Sequence, residues 1–191
     1  ITGDLTNRGG KEQAKKITDY ARQYNPNIYA QAGNFDCKEV EDYLIEQKIS
    51  LHGNAFIRED IGIFGVGGSN ITPLNTPNEY EENKIESFIL QGYQQIKDLP
   101  LKLFVSHAPP FNTKVDMLTS GLHVGSTAVR EFIEKYQPEV CLTGHIHEAK
   151  GEDYIGRTVI INPGMLKDRG YGEIVKEKGA LKVVLKQIAW F

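Results

Sequence analysis

Cysteine, tryptophan and methionine are scarce in this chain: two, one and two residues among 191. Cys37 and Cys141 stand far apart and outside any CxxC pattern, which argues against a disulfide framework and for a reducing, cytoplasmic setting. No apolar run approaches the roughly 18 residues that span a bilayer, so no membrane role is expected. Nor is there an excess of positive charge. The 22 Lys+Arg face 25 Asp+Glu, a net of −3, which argues against a partner as long and anionic as a nucleic acid. Repeats, low-complexity tracts and linkers are absent too, which leaves a single domain over residues 1–191. What remains is ordinary globular material, 40% apolar and 25% charged, with enough length for a substantial core.

Periodicity sets the expected elements. Residues 11–24 carry Ala14, Ile17, Ala21 and Tyr24 at helical spacing, stopped by Asn25-Pro26. Residues 1–3 read as the tail of a strand and 28–32 as a short one. Asp36 followed by Glu39 predicts a capped helix through about residue 47. A hairpin is expected over 56–58 and 61–67, then a polar loop over 69–78 and a long helix over 79–97. Residues 101–106 form a strand, a long loop runs from 107 to 123, and Ser126 caps a helix to about 136. The last third is mostly strand. This order predicts an α/β fold: a layered αββα sandwich of two mixed sheets flanked by helices.

Four polar signatures follow predicted strands: Gly3-Asp4, Gly33-Asn34, Ser106-His107 and Gly144-His145-Ile146-His147. Carboxyl ends of strands are where open α/β sheets place their sites. In His145-Ile146-His147 the two imidazoles are two apart, so in an extended segment both can face one cleft. Each motif alone has a bland reading: an Asx-turn at Asp4, a turn residue at Asn34, a strand-end histidine at His107, loop histidines at 145 and 147. Together, one Asp, one Asn and three His make a sensible dinuclear site. A carboxylate can bridge two cations, and imidazole donors favour Mn, Fe, Zn or Ni over Ca or Mg. Two cations about 3.5–4 Å apart clamp an attacking hydroxide and a phosphate ester.

These motifs, in this order, resemble the calcineurin-like metallophosphoesterase superfamily, whose pattern is DxH, GD, GNH[D/E], H and GHxH. Gly3-Asp4, Gly33-Asn34-Phe35-Asp36, Ser106-His107 and Gly144-His145-Ile146-His147 carry the resemblance over almost the whole chain. Asn162-Pro163-Gly164 and the stretch from Gly65 onward look like its Icc-type small prokaryotic branch. The resemblance implies Asp4 as bridging carboxylate, and Asn34, His107 and His145 as further ligands of one metal. It implies His147 on the second metal, with Mn²⁺ the first choice for assays. Arg8, in Gly3-Asp4-Leu5-Thr6-Asn7-Arg8-Gly9, matches the arginine that contacts phosphate, with Asn34 beside it.

Two departures follow. The DxH motif is not in this sequence, so a strand and helix of roughly 30 residues are expected upstream of Ile1. Without them a mononuclear hydrolase is a third reading. The GNH histidine, which protonates the leaving group in the family, is Phe35. His123, on the loop after His107, is the substitute acid. His52 reads as structural. Asp36 reads as a helix cap, and Gly62–Gly68 as a hairpin with close packing, not a nucleotide-binding loop. The expected activity is metal-dependent hydrolysis of a small phosphomonoester or phosphodiester, a nucleotide or cyclic diester included. The rival is a degenerate fold serving as a protein-binding scaffold. Oligomeric state is not legible.

Overall fold

The computed structural model describes residues 1–189. In chain order these form α1 (Lys11–Arg22), α2 (Lys38–Glu46), β1 (Ala55–Arg58), β2 (Ile61–Val66), β3 (Ser69–Asn70), β4 (Glu79–Tyr80) and α3 (Glu82–Gln94). Then come β5 (Leu101–Ser106), α4 (Thr127–Tyr136), β6 (Val140–Leu142), β7 (Gly151–Ile155), β8 (Thr158–Asn162), β9 (Gly170–Glu177) and β10 (Ala180–Gln187). Short 3-10 turns sit at His147–Ala149 and Leu166–Asp168. The central sheet has the order β1-β2-β5-β6-β8-β7. Its four inner strands run parallel, and β1 and β7 close the edges antiparallel to their neighbours. The layered α/β architecture is therefore present. The second sheet, among the described residues, is the antiparallel β9–β10 pair, and β3–β4 is a two-residue parallel pair.

Alternation along the strands builds the layers. Phe64 and Val66 of β2, Phe104 of β5, Cys141 of β6 and Ile160 of β8 meet Ile85 and Ile89 of α3 and Val129, Phe132 and Ile133 of α4. Phe64 and Phe104 are register partners and stack with centroids 4.8 Å apart. Each such side chain, fully buried, contributes roughly 1.5–3 kcal/mol. Leu142 and Ile161 point the other way, and Gly172 of β9 lies over them. A second cluster joins Ala14 of α1, Val40, Tyr43 and Leu44 of α2, and Ala30 and Ala32. Ser126 caps α4 as expected, its Oγ accepting from Val129 N at 3.2 Å. No helix among the described residues is long and apolar enough to cross a membrane.

Several local expectations are corrected. Residues 1–3 form no strand, and residues 28–32 contribute one bridge, Ala30 with Ser50. On α1 the buried residues are Ala14 and Thr18, while Ile17 and Tyr24 are exposed. The reason is a polar pair: Thr18 Oγ1 meets Tyr43 Oη at 2.8 Å, which turns that face of α1 onto α2. Cys37, not Asp36, is the N-cap of α2. The helix expected from residue 79 starts at Glu82, because the Glu79 carboxylate accepts from Thr72 N, Thr72 Oγ1 and Thr76 N and holds its own backbone extended.

His52 is structural, as read from the sequence, and carries a pH effect. Its Nδ1 accepts from Gly67 N at 3.0 Å, and its ring packs on Phe88 at 4.2 Å between centroids. Burial pushes its pKa down to about 4, so the folded chain keeps the ring neutral where the unfolded chain protonates it. Stability is thus full above the unfolded value and falls as pH drops from about 6.5 towards 4, by about 3 kcal/mol at most. Urea unfolding of His52→Gln at pH 7 and pH 5 should show a smaller acid loss than the parent. Equal losses would remove His52 as the cause.

Candidate metal centre

Two members of the cluster follow strands of the central sheet, and two follow glycines in irregular segments. His107 directly follows β5, His145 follows β6, and Asn34 and Asp4 follow Gly33 and Gly3. Asn34 is 0% exposed and His107 2%. Asn34 Oδ1 accepts from His107 Nε2 at 3.0 Å and from His145 Nδ1 at 2.9 Å. Asp4 Oδ2 lies 3.5 Å from His107 Nε2, and the two imidazole centroids are 5.1 Å apart. Four of the five ligand residues read from the sequence therefore converge on one point.

Backbone geometry makes the convergence fit. Asp4 and His145 adopt positive φ, 51° and 65°, an αL conformation that Asp and His tolerate better than most residues. Two glycines provide clearance. A Cβ on Gly3 would stand 2.4 Å from His107 Nδ1, and one on Gly33 would stand 2.1 Å from Asp4 Oδ1. Asp36 ties the two turns together. Its carboxylate, 0% exposed, accepts from Gly33 N, Leu5 N, Thr6 N and Thr6 Oγ1 at 2.7–3.0 Å.

Hydrogen bonds also fix which atoms face the centre. Asn34 Nδ2 donates to Thr76 Oγ1 at 2.9 Å, and Thr76 Oγ1 donates onward to Glu79, so the amide oxygen must be the atom turned towards the histidines. His107 Nδ1 donates to Thr2 O at 2.8 Å, leaving Nε2 for the centre. Burial opposes a charge on His107, yet the hydrogen bond and charge of Asp4 win and lift its pKa. Burial pushes Asp4 up in turn, and His107 outweighs it and holds the carboxyl below its usual range. For His145, burial and then the neighbouring His107 push the pKa down to about 3, so its ring is neutral near pH 7. A carboxylate, two imidazoles and an amide oxygen thus face one another, and Asp4 and His107 each favour the other's charged form.

Carboxylate, amide oxygen and imidazole are donor types that divalent transition metals accept. His107 also shows the support usual for a metal-ligating histidine, its far nitrogen held by a carbonyl. Among the described residues, however, no three His, Cys, Asp or Glu side chains form a group able to hold an ion. Both rings turn onto the amide of Asn34, which takes a donor's place within the cluster.

The remaining residues read from the sequence lie around it. His147 is exposed at the start of the 3-10 turn, and His145 feels its charge. Arg8 is exposed, with φ 57°; its N donates to Phe35 O at 2.9 Å and its guanidinium lies 6.0 Å from the Phe35 ring centroid. A cavity of about 330 Å³ opens between Asp4, Thr6, Phe35 and Met165. His123 is half-buried and bonds Asp116 Oδ1 through Nδ1 at 2.7 Å. Sequence reasoning missed Thr76 and Asp116, whose only signal was their place in polar loops, and Glu79, which it placed at the start of a helix.

Comparison with known proteins gives the family and relatives of the fold. Residues 41–183 match the family described as metallophosphoesterase, calcineurin superfamily, and the chain belongs to it. It is 38% identical over 168 residues to Uncharacterized protein MJ1162 of Methanocaldococcus jannaschii, across 85% of this chain and 75% of that one. The fold is similar to that of TT1561 of Thermus thermophilus, with a TM-score of 0.67 at 19% identity, covering 97% of this chain and 83% of that one. It is also similar to a Staphylococcus aureus protein provisionally named a 5′-nucleotidase, with a TM-score of 0.57 at 16% identity. That match covers 96% of this chain and 41% of the other. Members of the family generally use divalent metal ions in phosphoester hydrolysis.

Proposed function

We propose that this chain hydrolyses small phosphomonoesters or phosphodiesters at a dinuclear centre held by Asp4, Asn34, His107, His145 and His147. The observation that carries the reading is the convergence of Asp4, Asn34, His107 and His145 on one point, at distances of 2.9–3.5 Å. Bound divalent cations supply a hydroxide nucleophile near neutral pH and neutralise the phosphate oxygens. The chain's own residues do the rest. Asn34 and Arg8 orient the phosphate, with Arg8 stabilising the charge added as the incoming oxygen attacks. His123 protonates the departing oxygen, because Phe35 stands where the family has its histidine. The net charge of −3 favours a small substrate, nucleotides included, over long nucleic acid. Two free cysteines, Cys141 being buried with its thiol pKa pushed up by that burial, accord with a reducing cytoplasmic setting.

The test is turnover of bis-p-nitrophenyl phosphate and p-nitrophenyl phosphate with added Mn²⁺. Turnover of either, lost on chelation, is expected; no turnover of either by metal-loaded protein would overturn the proposal. Phe35 favours one rival, a degenerate fold serving as a protein-binding scaffold. Metal content separates them, since fewer than one transition metal per chain after loading would favour the scaffold.

A further inference from the structure

Asp116 is a fully buried carboxylate that the proposed reaction leaves without a task. It accepts from Asn112 N, Thr113 N and Gly125 N at 2.7–3.1 Å, which shapes its loop. Thr113 Oγ1 donates to it as well, at 3.3 Å, and a further partner is different in kind: His123 Nδ1, at 2.7 Å. An ionised carboxylate only accepts, so the hydrogen sits on Nδ1, and Nε2 is the nitrogen left to face a ligand. The loop is stitched to the candidate metal centre on both sides. Asn162 Nδ2 bonds Ile146 O at 2.7 Å and Val115 O at 3.5 Å, and Thr119 N donates to Glu148 at 2.8 Å. Asn70 Nδ2 donates to Val124 O at 3.2 Å, from the segment that also carries Thr76, the partner of Asn34.

We propose that Asp116 is a positioning residue that fixes the tautomer and direction of His123, so that Nε2 delivers a proton to the departing oxygen of the phosphoester. The inference rests on the hydrolase reading and deepens it. Water supplies the incoming oxygen. As the bond from phosphorus to the departing oxygen breaks, its electron pair stays on that oxygen, which takes the proton from Nε2 of the doubly protonated ring. The ring is left neutral with its hydrogen on Nδ1, against Asp116. An aryl ester such as p-nitrophenyl phosphate leaves as a stable anion and needs little of this help, whereas an alkyl ester such as glycerol phosphate needs it fully.

The test compares those two esters in His123→Ala, Asp116→Asn and the parent, all loaded with Mn²⁺. For His123→Ala the loss of kcat is expected to be about 10²-fold larger on glycerol phosphate than on p-nitrophenyl phosphate. Asp116→Asn should show the same selective loss, smaller in size. Ring nitrogen chemical shifts of ¹⁵N-labelled His123 should show Nδ1 protonated in the neutral parent and a mixed tautomer in Asp116→Asn. That measurement needs no turnover, so it separates this proposal from the hydrolase reading. Equal losses on both esters, or an unchanged His123 tautomer in Asp116→Asn, would overturn it. If the parent turns over neither ester, the hydrolase reading fails and the acid role with it.

Discussion

Asp4→Asn is expected to lower Mn²⁺-dependent turnover of p-nitrophenyl phosphate by about 10³-fold while leaving the melting temperature within a few degrees of the parent. Asparagine keeps the size of the side chain and tolerates the αL backbone that position 4 requires. It can also keep the hydrogen bond that Phe35 N now donates to Asp4 Oδ1 at 3.0 Å. What it removes is the negative charge. In the proposed reaction Asp4 would help hold the metal ions, so loss of its charge would withdraw several kcal/mol of charge stabilisation, and about 4 kcal/mol is the 10³-fold expected. The size of the side chain and the bond from Phe35 N are both kept, which is why the stability cost stays small. Turnover in Asp4→Asn within tenfold of the parent would remove Asp4 from the centre. Calorimetry with Mn²⁺ alone should show the accompanying loss of binding.

Asp36→Ala is expected to act on stability instead, by about 3–5 kcal/mol. Three backbone N–H groups and the Thr6 hydroxyl lose their acceptor, and each buried orphan costs roughly 1–3 kcal/mol, not additively. Part of that is offset in the parent, because burial raises the Asp36 pKa against the pull of its donors. For a chain of this size the loss is a fall of about 10 °C in melting temperature. Urea and thermal melts measure it directly. A loss under about 1 kcal/mol would mean that water or a local rearrangement replaces the carboxylate. Thr6→Val, which keeps the carboxylate and its three backbone donors and gives up the hydroxyl's bonds to Asp36 and Gly9, should cost less.

Motifs at strand ends were legible because two constraints coincide there. The apolar runs of β2, β5 and β6 announce buried parallel strands, and the polar residues just after them have nowhere to point but the rim. Ser126 was legible as a cap because hydroxyl and helix pattern are adjacent in sequence. The two buried carboxylates that shape loops were not. Asp36 and Asp116 satisfy backbone N–H groups of irregular segments, and irregular segments have no period to read. Asp36 also mimics a helix cap in sequence, two residues ahead of α2, while all its donors but Gly33 N lie 30 or more residues away in Leu5 and Thr6. On α1 the misread face has a related cause. Hydropathy favours Ile17 over Thr18 as the inward residue, and only the partner hydroxyl of Tyr43, 25 residues on, reverses that choice.

The separation of the cluster's members along the chain has a kinetic consequence. The contact from Asn34 to His107 spans 73 residues and that from Asn34 to His145 spans 111. Both close only after the parallel ladder β2-β5-β6 has formed, and such non-local pairing is slow because loop entropy is lost before contacts compensate it. A nascent chain therefore cannot gather these four side chains until β6 has been synthesised and has docked. During refolding, the signals of His107 and His145 should be among the last to reach their native positions, which makes the cluster an internal clock for completion of the sheet.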